Sequence, residues 1–182
     1  MFLFKKRDIS RRQTIHRLYG VIVAQAREPG FYAVSGVPDT VEGRFDLLVL
    51  HMHLVSDRLA AAGEAGKALG QQLLDRFFED MDASLREIGI GDLSVPKKMR
   101  SLAEAYLGRS ALYSAAIAAN DSAALAKALA RNVLGRDEPG AGDDLASYAM
   151  EAARILATQR DDDLLAGAIV FPEPAADAKH AE

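Results

Sequence analysis

The segment "FDLLVLHMHLVSDRL", residues 45–59, is apolar on two faces of a predicted helix. Its apolar residues recur at the spacing of three or four that marks a helix face. One stripe consists of Phe45, Leu48, Met52, Val55 and Leu59, and the other consists of Leu47, Leu50 and Leu54. A helix that is apolar on two sides must be covered on two sides. The segment therefore predicts a helix at the centre of a bundle, or one held between a core and a partner.

The same spacing predicts helices along almost the whole chain. They begin near Ile15, Thr40, Ala65, Ser94, Asp121 and Leu145, and a short apolar segment follows at 164–171. Thr40 and Ser94 are predicted N-caps, and either Asp121 or Ser122 caps the fifth helix. Turn residues predict an irregular stretch over 28–43.

The predicted fold class is all-α, a single-domain bundle of about six to seven helices. The predicted boundaries are a basic N-terminal segment at 1–12, an all-helical domain at 13–171 and a disordered tail at 172–182.

The composition narrows the possible functions. With no Cys and only four His in 182 residues, the chain offers few groups for nucleophilic or acid–base catalysis. It contains no nucleophile elbow and no phosphate-binding Gly-rich loop. We therefore predict no enzyme activity, no catalytic residue, no cofactor and no metal site. The net charge of −4 argues against non-specific binding of nucleic acid.

The N-terminus departs from this acidic character. Residues 1–12 hold five cations against one carboxylate, after an apolar start too short for a signal peptide. Either this is a frayed terminus, or it is a weak anchor on anionic lipid. The predicted membrane contacts are Phe2, Phe4, Lys5, Lys6 and Arg7. The predicted location is the cytoplasm, with peripheral contact at the inner face of the cytoplasmic membrane as the extension of that hypothesis.

Two groups of polar residues on predicted helices resemble metal or phosphate sites. His51 and His53 are two residues apart and so point away from each other on a helix, which favours packing over metal binding. Asp75, Glu79 and Asp82 share one flank with Arg86, and Asp82 and Arg86 are well spaced to pair. This flank is either solvated or protein-binding. A Mg²⁺–pyrophosphate site of the all-α isoprenoid synthases is less favoured, because the paired-aspartate motif is missing.

Three cations begin the fourth predicted helix, in "VPKKMR". Lys97, Lys98 and Arg100 lie where the helix dipole is already positive, at a cost of a few tenths of a kcal/mol each. Lys97 and Arg100 fall opposite the apolar stripe that contains Met99 and Tyr106. This arrangement is either a solvated face or the contact for an acidic partner: the Asp75–Asp82 flank, a lipid or RNA phosphate, or another protein.

Two long segments resemble the ubiquinol–cytochrome c chaperone family. They are "FYAVSGVPDTVEGRFDLLVLHMHLVSDRL" and "FFEDMDASLREIGIGDLSVPKKMRSLAEAYLGR", and the resemblance covers about residues 31–171. The short basic N-terminus resembles a bacterial member of the family.

The resemblance implies an all-helical, non-enzymatic assembly factor that binds newly made cytochrome b during biogenesis of the ubiquinol–cytochrome c reductase. It also implies a small partner protein. A peripheral membrane adaptor is the alternative. We predict that an apolar groove beside the central helix, including Phe45 and Met52, receives the client between the acidic flank and the basic helix start.

Overall fold

The computed structural model describes the backbone of residues 2–175 and the side chains from residue 11 onward. No strand occurs within these residues, which confirms the all-α prediction. The elements are α1 (Phe2–Gln25), α2 (Pro29–Ala33), α3 (Val41–Ala61), α4 (Gly63–Glu87), α5 (Val95–Ala118), α6 (Ser122–Leu129) with a π-helical turn (Ala130–Leu134), α7 (Asp143–Thr158) and α8 (Asp161–Leu165).

Helix α3 is the centre of the bundle. It packs against α1, α4, α5, α7 and the π-helical turn. Leu47 and every residue from 49 to 55 are buried. The apolar character on two sides of α3 is thus explained by neighbouring helices on both sides, as the first of the two alternatives predicted.

Helix starts follow the predicted caps in two of three cases. The Thr40 hydroxyl accepts a hydrogen bond from the Gly43 N–H at 3.1 Å, and the Asp121 carboxylate accepts one from the Ala124 N–H at 2.9 Å. The prediction for Ser94 is wrong, because its backbone is already helical and its side chain makes no capping bond. A cap needs a non-helical backbone to turn its oxygen toward the first-turn N–H groups.

The N-terminal third differs from the prediction in two places. Residues 29–33 form a short helix inside the stretch predicted to be irregular, because Pro29 occupies the first turn, where its missing N–H costs nothing. The backbone of α1 is continuous from Phe2 to Gln25, so the boundary at residue 12 falls inside a helix. Burial of Leu18, Ile22 and Ala26 confirms the predicted inner face of α1.

The chain after α8 lies along the bundle. Gln159 pairs with Val170 through two hydrogen bonds, at 2.7 and 3.0 Å. Gln25 on α1 donates to the Pro172 carbonyl at 2.9 Å, and Phe171 is buried. The tail predicted to be disordered, 172–182, is therefore attached to the bundle at its first residue, Pro172. Residues 176–182 lie outside the described residues.

His51 and His53 both belong to the core, as the packing hypothesis predicted. The His51 ring lies between the Leu47 carbonyl and the Tyr148 hydroxyl, each 2.8 Å from a ring nitrogen. Its ring also packs against Phe31 and Phe171. Burial lowers the pKa of both histidines, that of His51 to about 4, so both are neutral at pH 7.

Candidate partner-binding surface

The acidic flank of α4 is partly neutralised by its own helix. Asp82 and Arg86 pair at 2.6 Å, as their spacing predicted, and Arg86 also reaches Asp92 at 2.5 Å. These bonds hold the pKa of the Asp82 carboxyl below its usual value. Asp75 accepts a hydrogen bond from Gln71 at 2.9 Å, and Glu79 lies 3.9 Å from Arg76. Asp75 and Glu79 are thus the more exposed and more weakly paired carboxylates of this flank.

The turn between α4 and α5 is shaped by a glycine. The N–H groups of Gly89 and Ile90 close the helix by bonding to the carbonyls of Arg86 and Leu85, both at 3.0 Å. This Schellman pattern needs a left-handed residue, and Gly89 has φ +87°. Buried Val95 then fixes the start of α5, whereas Leu93 is 99 % exposed. The turn therefore presents an apolar side chain to solvent between two well-anchored helices.

The cations of α5 face solvent. Lys97, Lys98 and Arg100 are all exposed, and none forms an ion pair with the residues that the structure describes. These three cations therefore do not pair with the Asp75–Asp82 flank. The ion-pair partners of Glu79 and Asp82 are Arg76 and Arg86 of α4. The positive charges of Lys97, Lys98 and Arg100, all within four residues, remain available to an external partner.

The predicted groove beside the central helix is not open. Met52 is fully buried, so its prediction as a partner contact is corrected: covered by its neighbours, it belongs to the core. Phe45 is half-buried and stacks on Phe77 with ring centroids 6.1 Å apart. Phe77 in turn packs against Phe78 and Tyr106. Phe45 thus forms the accessible rim of an aromatic cluster.

The outer face of α5 was missed in the sequence. Leu107 is 64 % exposed and Leu112 is 46 % exposed, with exposed Gly108, Ala111 and Ala115 among them. The available signal was that both leucines fall outside the stripe through Met99 and Tyr106. A helix that has already buried one stripe has no internal partner for a second. This second apolar strip is the longest one that α5 leaves uncovered.

The remaining predicted contacts are less defined. The side chains of Phe2, Phe4, Lys5, Lys6 and Arg7 lie outside the described residues, so their membrane contact stays a prediction. Among the residues that the structure describes, no three His, Asp or Glu side chains lie close enough together to hold a metal ion. None of the helices described has both the length and the apolar character to cross a bilayer.

The helices that carry this surface match a known family of proteins. The family model described as ubiquinol-cytochrome C chaperone matches residues 33–171, which include α3, α4, α5 and α7. The chain is therefore a member of the ubiquinol–cytochrome c chaperone family, and the resemblance seen in the sequence is confirmed.

The chain is also similar to one solved structure and to one named relative. A crystal structure of the Cbp3 homolog from Brucella abortus superimposes with a TM-score of 0.86 at 41% identity, over 94% of this chain and 95% of that one. The ubiquinol-cytochrome-c reductase complex assembly factor 1 of Xenopus laevis is 28% identical over 151 residues, or 82% of this chain and 75% of the relative. The chain thus shares its architecture with the Cbp3 homolog and is similar in sequence to an assembly factor of the ubiquinol–cytochrome c reductase.

Proposed function

We propose that this chain binds newly made cytochrome b during assembly of the ubiquinol–cytochrome c reductase, and that it does so without catalysing a reaction. The observation that carries the proposal is family membership across residues 33–171, together with the match to a relative named as an assembly factor of that complex. A chaperone for a membrane protein needs an exposed apolar surface for its client.

The outer face of α5 meets that need. Leu107 and Leu112 present apolar surface beside small residues, which lets a client helix approach the backbone of α5 closely. The cations Lys97, Lys98 and Arg100 precede this face on the same helix. Asp75, Glu79, Asp82 and Arg86 on α4, and Phe45 on α3, are proposed as the polar and aromatic margin of the contact. This surface takes the place of the closed groove beside α3.

Variants at the apolar face test the proposed surface. Leu107→Asp with Leu112→Asp should reduce photocrosslinking to cytochrome b in the source cell and lower the level of haem-loaded cytochrome b. Val41→Asp with Val170→Asp is the matched control, because these valines are 68 % and 65 % exposed but lie off α5. Equal crosslinking by the two double variants would reject the α5 face as the contact.

Deletion of the whole chain tests the function itself. The expected result is loss of cytochrome b while a second membrane cytochrome in the same cell keeps its level. An unchanged level of cytochrome b would reject the proposed client. Affinity purification under the same conditions also tests whether the small partner protein implied by the family accompanies this chain, since such a protein should copurify in constant ratio.

A further inference from the structure

The corner between α4 and α5 has an apolar tip that the client proposal does not use. Residues 88–93 hold three aliphatic side chains separated by glycines and an aspartate. Leu93 is 99 % exposed and Ile88 is 63 % exposed, and Ile90 is partly buried. Two exposed apolar side chains thus lie within six residues, on a turn whose backbone is held by defined hydrogen bonds.

The cations of α5 adjoin this apolar tip. Lys97, Lys98 and Arg100 begin four residues beyond Leu93 and have no ion-pair partner among the described residues. Arg86 at the end of α4 is already paired with Asp82, so the three cations of α5 supply the unpaired charge of the corner, although the total charge of the chain is −4. Asp92, the acid nearest to Leu93, is already paired with Arg86. The corner is thus locally positive as well as apolar.

We propose that this corner is a docking surface for an anionic lipid bilayer, with Leu93 and Ile88 entering the headgroup–acyl boundary and the three cations meeting lipid phosphates. Charge complementarity and the adjoining apolar tip argue for this occupant, since basic residues next to inserted aliphatic side chains are what an interfacial lipid contact requires.

The shape of the corner favours a lipid surface over a protein. Leu93 projects from a turn and has almost no contact with its own chain, so a protein would need a pocket to receive it. A fluid bilayer receives a projecting side chain without such a pocket. Val95, which is 1 % exposed, anchors the other end of the turn in the bundle, so that insertion needs no rearrangement of the helices. The contact is independent of the identity of the client.

The chain provides a clean spectroscopic test, because it has no Trp. Leu93→Trp in the full chain places the single Trp at the tip, where it can be excited apart from the tyrosines at wavelengths that only Trp absorbs. With vesicles of phosphatidylcholine and phosphatidylglycerol, its emission should shift to the blue, and with pure phosphatidylcholine it should not. Val170→Trp is the control at a similarly open position, and its emission should be unchanged by either vesicle.

Charge reversal tests the cations. Lys97→Glu, Lys98→Glu, Arg100→Glu should weaken sedimentation with the anionic vesicles by about 100-fold, at roughly fivefold per cation. The control Lys127→Glu, Arg131→Glu, Arg136→Glu has the same net charge and also changes exposed cations. It should retain most of the binding. Thermal melts of both variants check that the bundle is intact.

Each other outcome overturns the proposal. An unshifted Leu93→Trp emission in the presence of bound anionic vesicles rules out insertion of the tip. Equal loss of vesicle binding in both charge variants shows that binding depends on the net charge of the protein and not on the cations of the corner. Loss of binding only on deletion of residues 2–7 assigns the lipid contact to the N-terminus. If charge reversal abolishes crosslinking to cytochrome b and leaves vesicle binding unchanged, the corner is a protein contact. Because vesicle binding is measured without client, its failure leaves the proposed function standing.

Discussion

The Nε2 atom of His51 lies 2.8 Å from the Tyr148 hydroxyl, inside the core and across 97 residues of sequence. The direction of this bond is fixed by the other ring nitrogen. Nδ1 is 2.8 Å from the Leu47 carbonyl, which can only accept, so Nδ1 carries the proton and Nε2 accepts from Tyr148. Gln25 donates to the same hydroxyl oxygen at 3.1 Å. A chain of three side chains thus joins α1, α3 and α7.

Removal of the Tyr148 hydroxyl should destabilise the protein more than its size suggests. Tyr148→Phe leaves the buried Nε2 of His51 without a donor, at an expected cost of about 1–3 kcal/mol in the free energy of unfolding. Urea unfolding measures this. Tyr32→Phe is the control, because it removes a half-buried hydroxyl bound only to a backbone carbonyl, with an expected loss of about 1 kcal/mol or less. Equal losses would contradict the assigned role of His51.

The protein should lose stability between neutral and mildly acidic pH. The pKa of His51 is lowered by burial to about 4, below the 6.5 of an unfolded chain, so the unfolded state binds its proton first as the pH falls. Stability is therefore full above pH 6.5 and declines toward pH 4, by about 3 kcal/mol from His51 alone. The pKa of His53 is shifted in the same direction and adds to the loss.

Unfolding midpoints measured across this pH range test the origin of the decline. His51→Gln should flatten the dependence, even though the variant is less stable at every pH. The exposed His16 provides the control, and His16→Gln should keep the slope of the natural protein. A slope that survives in His51→Gln would place the effect on other groups.

The ion pair of Asp46 and Arg109 should be important for stability. It joins α3 to α5, and its side chains are 15 % and 21 % exposed. Burial raises the pKa of the Asp46 carboxyl, and Arg109 opposes that rise, so Arg109→Met leaves a carboxylate poorly hydrated and unpaired. We expect a loss of about 2 kcal/mol by chemical denaturation. Arg154→Met breaks an exposed pair with Glu151 and should change stability by less than about 0.5 kcal/mol.

Two glycines in helices should respond oppositely to alanine. A Cβ at Gly66 would lie 2.1 Å from the Leu59 carbonyl oxygen, so Gly66→Ala should force α3 and α4 apart and cost about 2 kcal/mol or more. A Cβ at Gly108 would meet nothing within 4 Å, so Gly108→Ala should stabilise α5 by about 0.5–1 kcal/mol. Thermal melting of both variants checks the pair, and a shift of the same sign in both would contradict the packing described for Gly66.

The helices and the central position of α3 could be predicted from the sequence, because burial repeats with the helix period. The caps at Thr40 and Asp121 are local patterns and were equally predictable. The relation of His51 to Tyr148 was not, since it depends on how α7 crosses α3. Helical periodicity alone would continue α4 through Ile88, but the helix ends at Glu87 and Ile88 is exposed.

The candidate surface was predictable only in part. The pairing of Asp82 with Arg86 and the exposure of Lys97 and Arg100 follow from spacing along one helix. The burial of Met52 depends on which neighbours cover each side of α3, and a single sequence does not specify that. The exposure of Leu93 depends on the turn being anchored by Val95 and not by Leu93, and periodicity does not decide between two aliphatic residues that are two positions apart.

The attachment of the last described residues to α1 has a consequence for the order in which the protein folds. Arg17 donates to the Ala166 carbonyl, and Gln25 donates to that of Pro172, across 149 and 147 residues. Helix α1 packs on α3 and α4 without these residues, but its bonds to Ala166 and Pro172 can form only once the segment after α8 is in place. These bonds have a high separation in sequence, so we expect the segment after α8 to join α1 late in folding.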